Sequence, residues 1–79
     1  MKEIKLSVVN KIKHLQVKEL EYGDDENLRG IANCDRAISH YLKDYNYDER
    51  AELLNCIYWV NDNCIKDLEE SGWKVLRGV

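Results

Sequence analysis

The residues of this chain that could carry out nucleophilic chemistry are three cysteines, two histidines and three serines. A nucleophile needs a base within hydrogen-bond reach, and two neighbours on one helix meet this condition only if they lie on the same face. Ser39 and His40 are adjacent on a helical stretch and therefore point about 100° apart. Cys34 lies among the apolar positions of that helix, whereas His40 lies among its charged positions. We therefore expect a buried structural Cys34, a solvated His40 and no enzymatic activity.

Metal chemistry is the second possibility, and the spacing of the ligands argues against it. Zinc needs about four nitrogen or sulfur ligands that converge on one point. On a single helix, Cys56 and Cys64 would lie roughly 12 Å apart. The segment 44–48 reads DYNYD, like the start of a calcium loop, but the later Gly and Glu of that motif are replaced by Glu49 and Asn55. We expect no metal and no cofactor, and a turn between helices at 44–48.

Residues 2–20 can be interpreted as a helix or as a hairpin, and this choice decides the fold class. In a helix, the apolar face would also carry Glu19. A hairpin turning at Asn10 and Lys11 separates apolar from polar side chains by strict alternation, although Asn-Lys is a weak turn signal. The alternation favours the hairpin, whose apolar face would hold Ile4, Leu6, Val8, Leu15 and Val17.

Two helices are predicted after this segment. Residues 25–44 carry an apolar arc of helical spacing that begins at Leu28, with Asp24 or Asp25 as the cap. Residues 48–71 carry a wider arc, with Asp48 as the cap and Gly72 just past the end. The short apolar tail 73–77 predicts a third strand.

These elements predict a single domain, residues 1–79, of the α+β class. The expected architecture is a small antiparallel β-sheet, made of the N-terminal hairpin and the C-terminal strand, with two helices packed on one face in the order β-β-α-α-β. The alternative is an all-α three-helix bundle with a docked tail.

Charge is unevenly distributed along the chain. Residues 1–18 carry five lysines and one glutamate, a sum of +4, whereas residues 19–79 sum to −7. The longest apolar run is the five residues 56–60, far short of the roughly 20 that span a bilayer. The N-terminus is charged where a secretion signal would be apolar, and the cysteines lack a disulfide pattern. We expect no membrane partner and a cytoplasmic location.

Trp59 is the residue that most strongly suggests a function. On the predicted helix 48–71 it lies outside the apolar arc and is surrounded by polar side chains. A tryptophan with a polar rim is typical of a protein interface. The alternatives are that the C-terminal tail covers Trp59 or that a second copy of the chain does. The predicted partner-binding surface consists of Trp59, Glu52, Asn55, Asp62, Asn63, Lys66 and Asp67.

The leading hypothesis is therefore a small non-enzymatic module that acts by occupying a partner protein's surface, a basic one given the acidic clusters. Phage or mobile-element inhibitors of host defence complexes that process nucleic acid are one such class of small acidic proteins. The protein would act as a monomer or a homodimer. The alternative is a nucleic-acid-binding regulator that uses the basic N-terminal hairpin, with Lys11 and Lys13 at its tip.

Overall fold

The structure, a computed structural model, describes residues 2–78, which fold into four helices and two short strands. About 65% of this part of the chain is helical. In chain order the elements are β1 (Glu3–Lys5), α1 (Leu6–Asp24), α2 (Leu28–Tyr41), α3 (Tyr47–Cys56), α4 (Cys64–Glu70) and β2 (Lys74–Leu76).

The antiparallel hairpin predicted for residues 2–20 is wrong. Residues 6–24 form the continuous helix α1, which buries Val9 and Ile12 completely. The sequence pattern disfavours a helix here because its apolar face would also carry Glu19. That residue does lie on the inner side of α1, half-buried and facing Asp35 of α2. A carboxyl group at the helix interface is therefore part of this fold, and its presence does not exclude a helix.

The sheet joins the two ends of the chain and is parallel. The predicted third strand exists at Lys74–Leu76, but it pairs with β1 in the register Glu3↔Lys74, Ile4↔Val75 and Lys5↔Leu76. The fully buried Ile4 fixes this pairing to the core. The predicted β-β-α-α-β order with an antiparallel sheet is thus replaced by β-α-α-α-α-β with one parallel pair.

A polar network ties this sheet to α3. One oxygen of Glu52, Oε1, accepts hydrogen bonds from Lys2 Nζ at 2.8 Å and from Trp73 Nε1 at 2.6 Å. The Lys2 ammonium group also donates to the Ser71 carbonyl and lies 5.8 Å from the centre of the Trp73 ring. Trp73 is buried and packs edge-on against Tyr45. These contacts hold both ends of the described chain against α3.

The predicted helix 48–71 is divided into α3 and α4 by the loop 57–63. Helix α3 begins with a capping box between Asn46 and Glu49, so Asn46 is the cap and Asp48 is not. The backbone leaves the helix at Ile57, whose side chain is fully buried. Gly72 follows α4 with φ +90°, which is the predicted role for this glycine.

Helix α2 packs along α1 as a helical hairpin, and it begins three residues later than predicted. Its cap is Asn27, whose side chain accepts a hydrogen bond from the backbone of Gly30, and neither Asp24 nor Asp25 serves. Leu28, the predicted start of the apolar arc, is 78% exposed. The main core instead consists of Ile4, Val9, Ile12, Leu42, Leu53, Cys56, Ile57, Cys64, Leu68 and Trp73.

Candidate functional site

The loop between α3 and α4 presents a tight apolar turn to solvent. The Asn61 backbone N–H donates to the Tyr58 carbonyl at 2.9 Å, which closes a β-turn with Trp59 and Val60 at its centre. Tyr58, Trp59 and Val60 are 52%, 41% and 52% exposed. Turn centres normally carry Gly, Asn, Asp or Pro. Three consecutive bulky side chains exposed at such a position are a feature typical of interaction sites.

Asn61 braces this turn from inside. Its side-chain Nδ2 donates to the Cys56 carbonyl and to Asp67 Oδ2, each at 2.9 Å. Its side-chain Oδ1 accepts from the Asn63 backbone N–H at 3.0 Å. One half-buried amide thus connects the last turn of α3, the loop and the first turn of α4.

Helix α1 holds the same loop from a second side. Gln16 Nε2 donates to the Ile57 carbonyl at 2.8 Å, and Lys13 Nζ donates to the Asn61 carbonyl at 3.1 Å. The two acceptors lie at either end of the exposed run 58–60. The backbone of the turn is therefore fixed before any partner arrives, which reduces the entropy lost on binding.

Further apolar side chains are exposed on the elements that hold the turn. Val17 and Leu20 continue the row on α1 that Lys13 and Gln16 begin, at the spacing that places residues on one helix face. Leu54, in the last turn of α3, is also exposed. The apolar character of this region is thus not limited to the turn itself.

The structure places Trp59 in a loop, so the polar rim that a continuous helix would give it does not exist. Four other residues of the predicted surface are exposed: Asp62 and Asn63 directly after the turn, Asn55 at the end of α3, and Lys66 on α4. The chain therefore keeps part of the predicted surface close to Trp59 in sequence, on different elements from those predicted.

Two members of the predicted partner-binding set are engaged within the chain. Glu52 binds Lys2 and Trp73, and these hydrogen bonds lower the pKa of its carboxyl group. Asp67 binds Asn61. Both carboxylates contribute to holding the fold, and a change at either would disturb the structure as well as any interface.

The turn and the residues that brace it were not predicted from the sequence. The signal was present in Asn61-Asp62-Asn63, a cluster of residues that favour turns. The apolar spacing on both sides of the cluster suggested a continuous helix, and this outweighed the turn signal. No comparable local signal marks Lys13 and Gln16, because their partners lie more than forty residues away in the chain.

The remaining pocket and the cysteine thiols of the described chain are weaker candidates for a functional site. A pocket of about 210 Å³ lies beside β1, below the ~300 Å³ at which typical ligand sites begin, lined by Glu3, Ile4, Lys5, Asp44, Tyr45 and Leu76. Burial raises the pKa of the thiols of Cys34, Cys56 and Cys64, which makes them weak nucleophiles.

Two further features are absent from residues 2–78. No three His, Cys, Asp or Glu side chains in this part of the chain are grouped so that they could hold a metal ion. None of the helices described there is long and apolar enough to cross a membrane.

Comparison with known proteins found no matching family model, no matching curated protein and no matching solved structure.

Proposed function

We propose that this chain is a non-enzymatic protein-binding module and that its turn 58–60 enters a depression on the partner's surface. The observation that carries the proposal is the combination of exposure and rigidity at Trp59. Aromatic anchors that enter a pocket supply most of the binding energy in many interfaces. Here the anchor stands on a turn that α1, α3 and α4 already hold through side-chain hydrogen bonds.

The charge of the chain supports a partner with a basic surface. Asp62 is exposed directly after the turn, and residues 19–79 carry a net charge of −7. The finer form of the proposal is an inhibitor, of phage or mobile-element origin, that covers the surface a host defence complex uses for nucleic acid. The free cysteines support action in the reducing cytoplasm, as a monomer or homodimer.

The nucleic-acid alternative has lost the hairpin on which it depended. The lysines expected at the hairpin tip now lie on α1, and Lys13 is engaged with the loop. Lys2 binds Glu52, and Lys18 lies 3.5 Å from Glu21. The basic N-terminal segment thus no longer presents its lysines together on one exposed strand pair, and this alternative becomes an outcome of the binding experiment.

The experiment compares capture by the wild-type protein with capture by Trp59→Ala. Tagged protein is immobilised, incubated with a lysate of host cells and washed at low and at high salt. Bound protein is detected on a gel, and bound nucleic acid is detected by the 260/280 nm absorbance ratio. We expect one stoichiometric protein band that survives high salt, and a loss of affinity of at least about tenfold in Trp59→Ala. Size-exclusion chromatography with light scattering gives the oligomeric state of each variant.

Leu28→Ala is the matched control, because Leu28 is a strongly exposed apolar residue in the first turn of α2, outside the proposed surface. It should bind like the wild type. Equal binding by wild type and Trp59→Ala would refute the proposed surface. Salt-labile nucleic acid without a protein band would refute the protein-binding function itself.

A further inference from the structure

Two carboxyl groups meet at the interface between α1 and α2. Glu19 of α1 is half-buried, and its side chain is in hydrogen-bonding contact with Asp35 of α2. The Glu19 Oε1 atom is buried and has no hydrogen-bond partner among the described residues. Cys34, also buried, lies close enough for both carboxyl groups to raise the pKa of its thiol, after the larger effect of burial.

Two ionised carboxylates have no hydrogen to share and repel each other, so this contact requires one proton. Among the described residues neither Glu19 nor Asp35 forms an ion pair that could replace it, although Lys18 is close enough to act on the neighbouring Cys34 thiol. On α1, Lys18 lies beside Glu21 at 3.5 Å. The α3–α4 loop reaches α1 one helical turn before Glu19, at Gln16, and there it contributes the carbonyl of Ile57, an acceptor without charge.

We propose that Glu19 keeps its proton where it meets Asp35 across the α1–α2 interface, and that loss of this proton weakens the packing of α2 on α1. The helical hairpin is then a pH-sensitive element of the fold. It works independently of the apolar turn, because neither carboxyl group belongs to the loop 57–63 or donates to it.

The direction of the effect follows from proton linkage. Burial, followed by the contact with Asp35, raises the pKa of Glu19 from 4.5 to about 7. Between these two values the folded protein holds a proton that the unfolded chain has released. Stability is therefore greatest below pH 4.5 as far as this group is concerned, falls as pH rises to about 7, and levels off above that.

The test measures urea unfolding at pH 5.5 and pH 8.5, with a reductant to keep the thiols free, for wild type and Glu19→Gln. The amide of glutamine donates to Asp35 at both pH values, as the protonated acid does only at the lower one. In the wild type, the unfolding equilibrium constant should rise on the order of tenfold between the two pH values, after allowance for solvent screening, because Glu19 is only half-buried and Asp35 is exposed. Glu19→Gln should remove that rise.

Glu70→Gln is the matched control, since it makes the same chemical change at an exposed position on α4, away from the α1–α2 interface. It should keep the wild-type pH dependence. A Glu19→Gln protein with the same rise as Glu70→Gln would overturn the proposal.

A second measurement keeps the test decisive if Glu19→Gln does not fold. The ¹³C chemical shift of the Glu19 side-chain carboxyl in the wild-type protein should titrate with a midpoint near pH 7. In Asp35→Asn, whose amide can donate to an ionised Glu19, the midpoint should move toward 4.5. A wild-type midpoint below pH 5 would show that Glu19 does not keep its proton near neutral pH, and would overturn the proposal.

Discussion

Asn61→Ala should destabilise the fold far more than a change at a half-exposed loop residue normally does. The substitution removes three hydrogen bonds, two to backbone groups of Cys56 and Asn63 and one to the Asp67 carboxylate. Backbone partners contribute about 1 kcal/mol each and a charged partner about 1.5–3 kcal/mol. With a reduction for the water that reaches Asp67, the loss should be about 2–4 kcal/mol, against roughly 4–12 kcal/mol for a chain of this length.

Urea unfolding followed by far-ultraviolet circular dichroism measures this loss directly. With a slope near 1 kcal/mol per molar, which is usual for small domains, the midpoint should fall by about 2 M or more. Asn55→Ala is the matched control: Asn55 is exposed on α3, and Ala is the better helix former, so the change should stay within about 0.5 kcal/mol. If the two variants lose the same stability, the side chain of Asn61 does not hold the turn.

Three further predictions test other parts of the structure. Glu26→Gly should stabilise the protein by roughly 0.5–1 kcal/mol in urea unfolding, because Glu26 has φ 56° after α1, where glycine is unstrained. Gly30→Ala should destabilise it by roughly 1–3 kcal/mol in the same assay, since the new Cβ would lie 2.6 Å from the Tyr22 ring; an unchanged midpoint would show that the ring moves away freely. Asp62→Lys should weaken partner capture without changing the unfolding midpoint, whereas the exposed Glu70→Lys should leave capture unchanged; equal capture by both variants would contradict a role for Asp62.

Local signals in the sequence predicted the features that depend on a few neighbouring residues. The apolar spacing between 28 and 41 correctly indicated a helix there, and Gly72 was correctly placed after the end of a helix. The turn expected at 44–48 is found slightly earlier, at residues 42–46, because α3 already begins at Tyr47 with Asn46 as its cap. The sequence leaves open whether the C-terminal tail covers Trp59; the structure exposes both Trp59 and Asp62, in a loop where a helix was predicted.

The features that were missed depend on contacts between distant parts of the chain. The choice between hairpin and helix at residues 2–20 is decided by α2 and by β2, which pairs with residues 3–5 from the other end of the chain. The alternation of apolar and polar residues cannot show that Ile4 belongs to a strand and pairs with Val75. Nor can it show that Val9 and Ile12, a few residues later, are buried on a helix. When the apolar spacing of a segment fits both a helix and a strand, tertiary packing decides which of the two forms.

The break at residues 57–63 is the point at which local preference and tertiary structure disagree most, and the disagreement itself supports the proposed site. A continuous helix could have carried Tyr58 and Val60 on its apolar arc, whereas the loop exposes both of them together with Trp59. Exposing apolar surface costs about 25 cal/mol per Å², so the loop gives up stability that a helix could have used. The structure also commits the side chains of Asn61, Lys13 and Gln16 to fixing the loop in that form. Positions where the structure departs from the local preference of the sequence concentrate at functional sites. Within residues 2–78, the loop 57–63 combines such a departure with exposed aromatic side chains and a backbone held by hydrogen bonds.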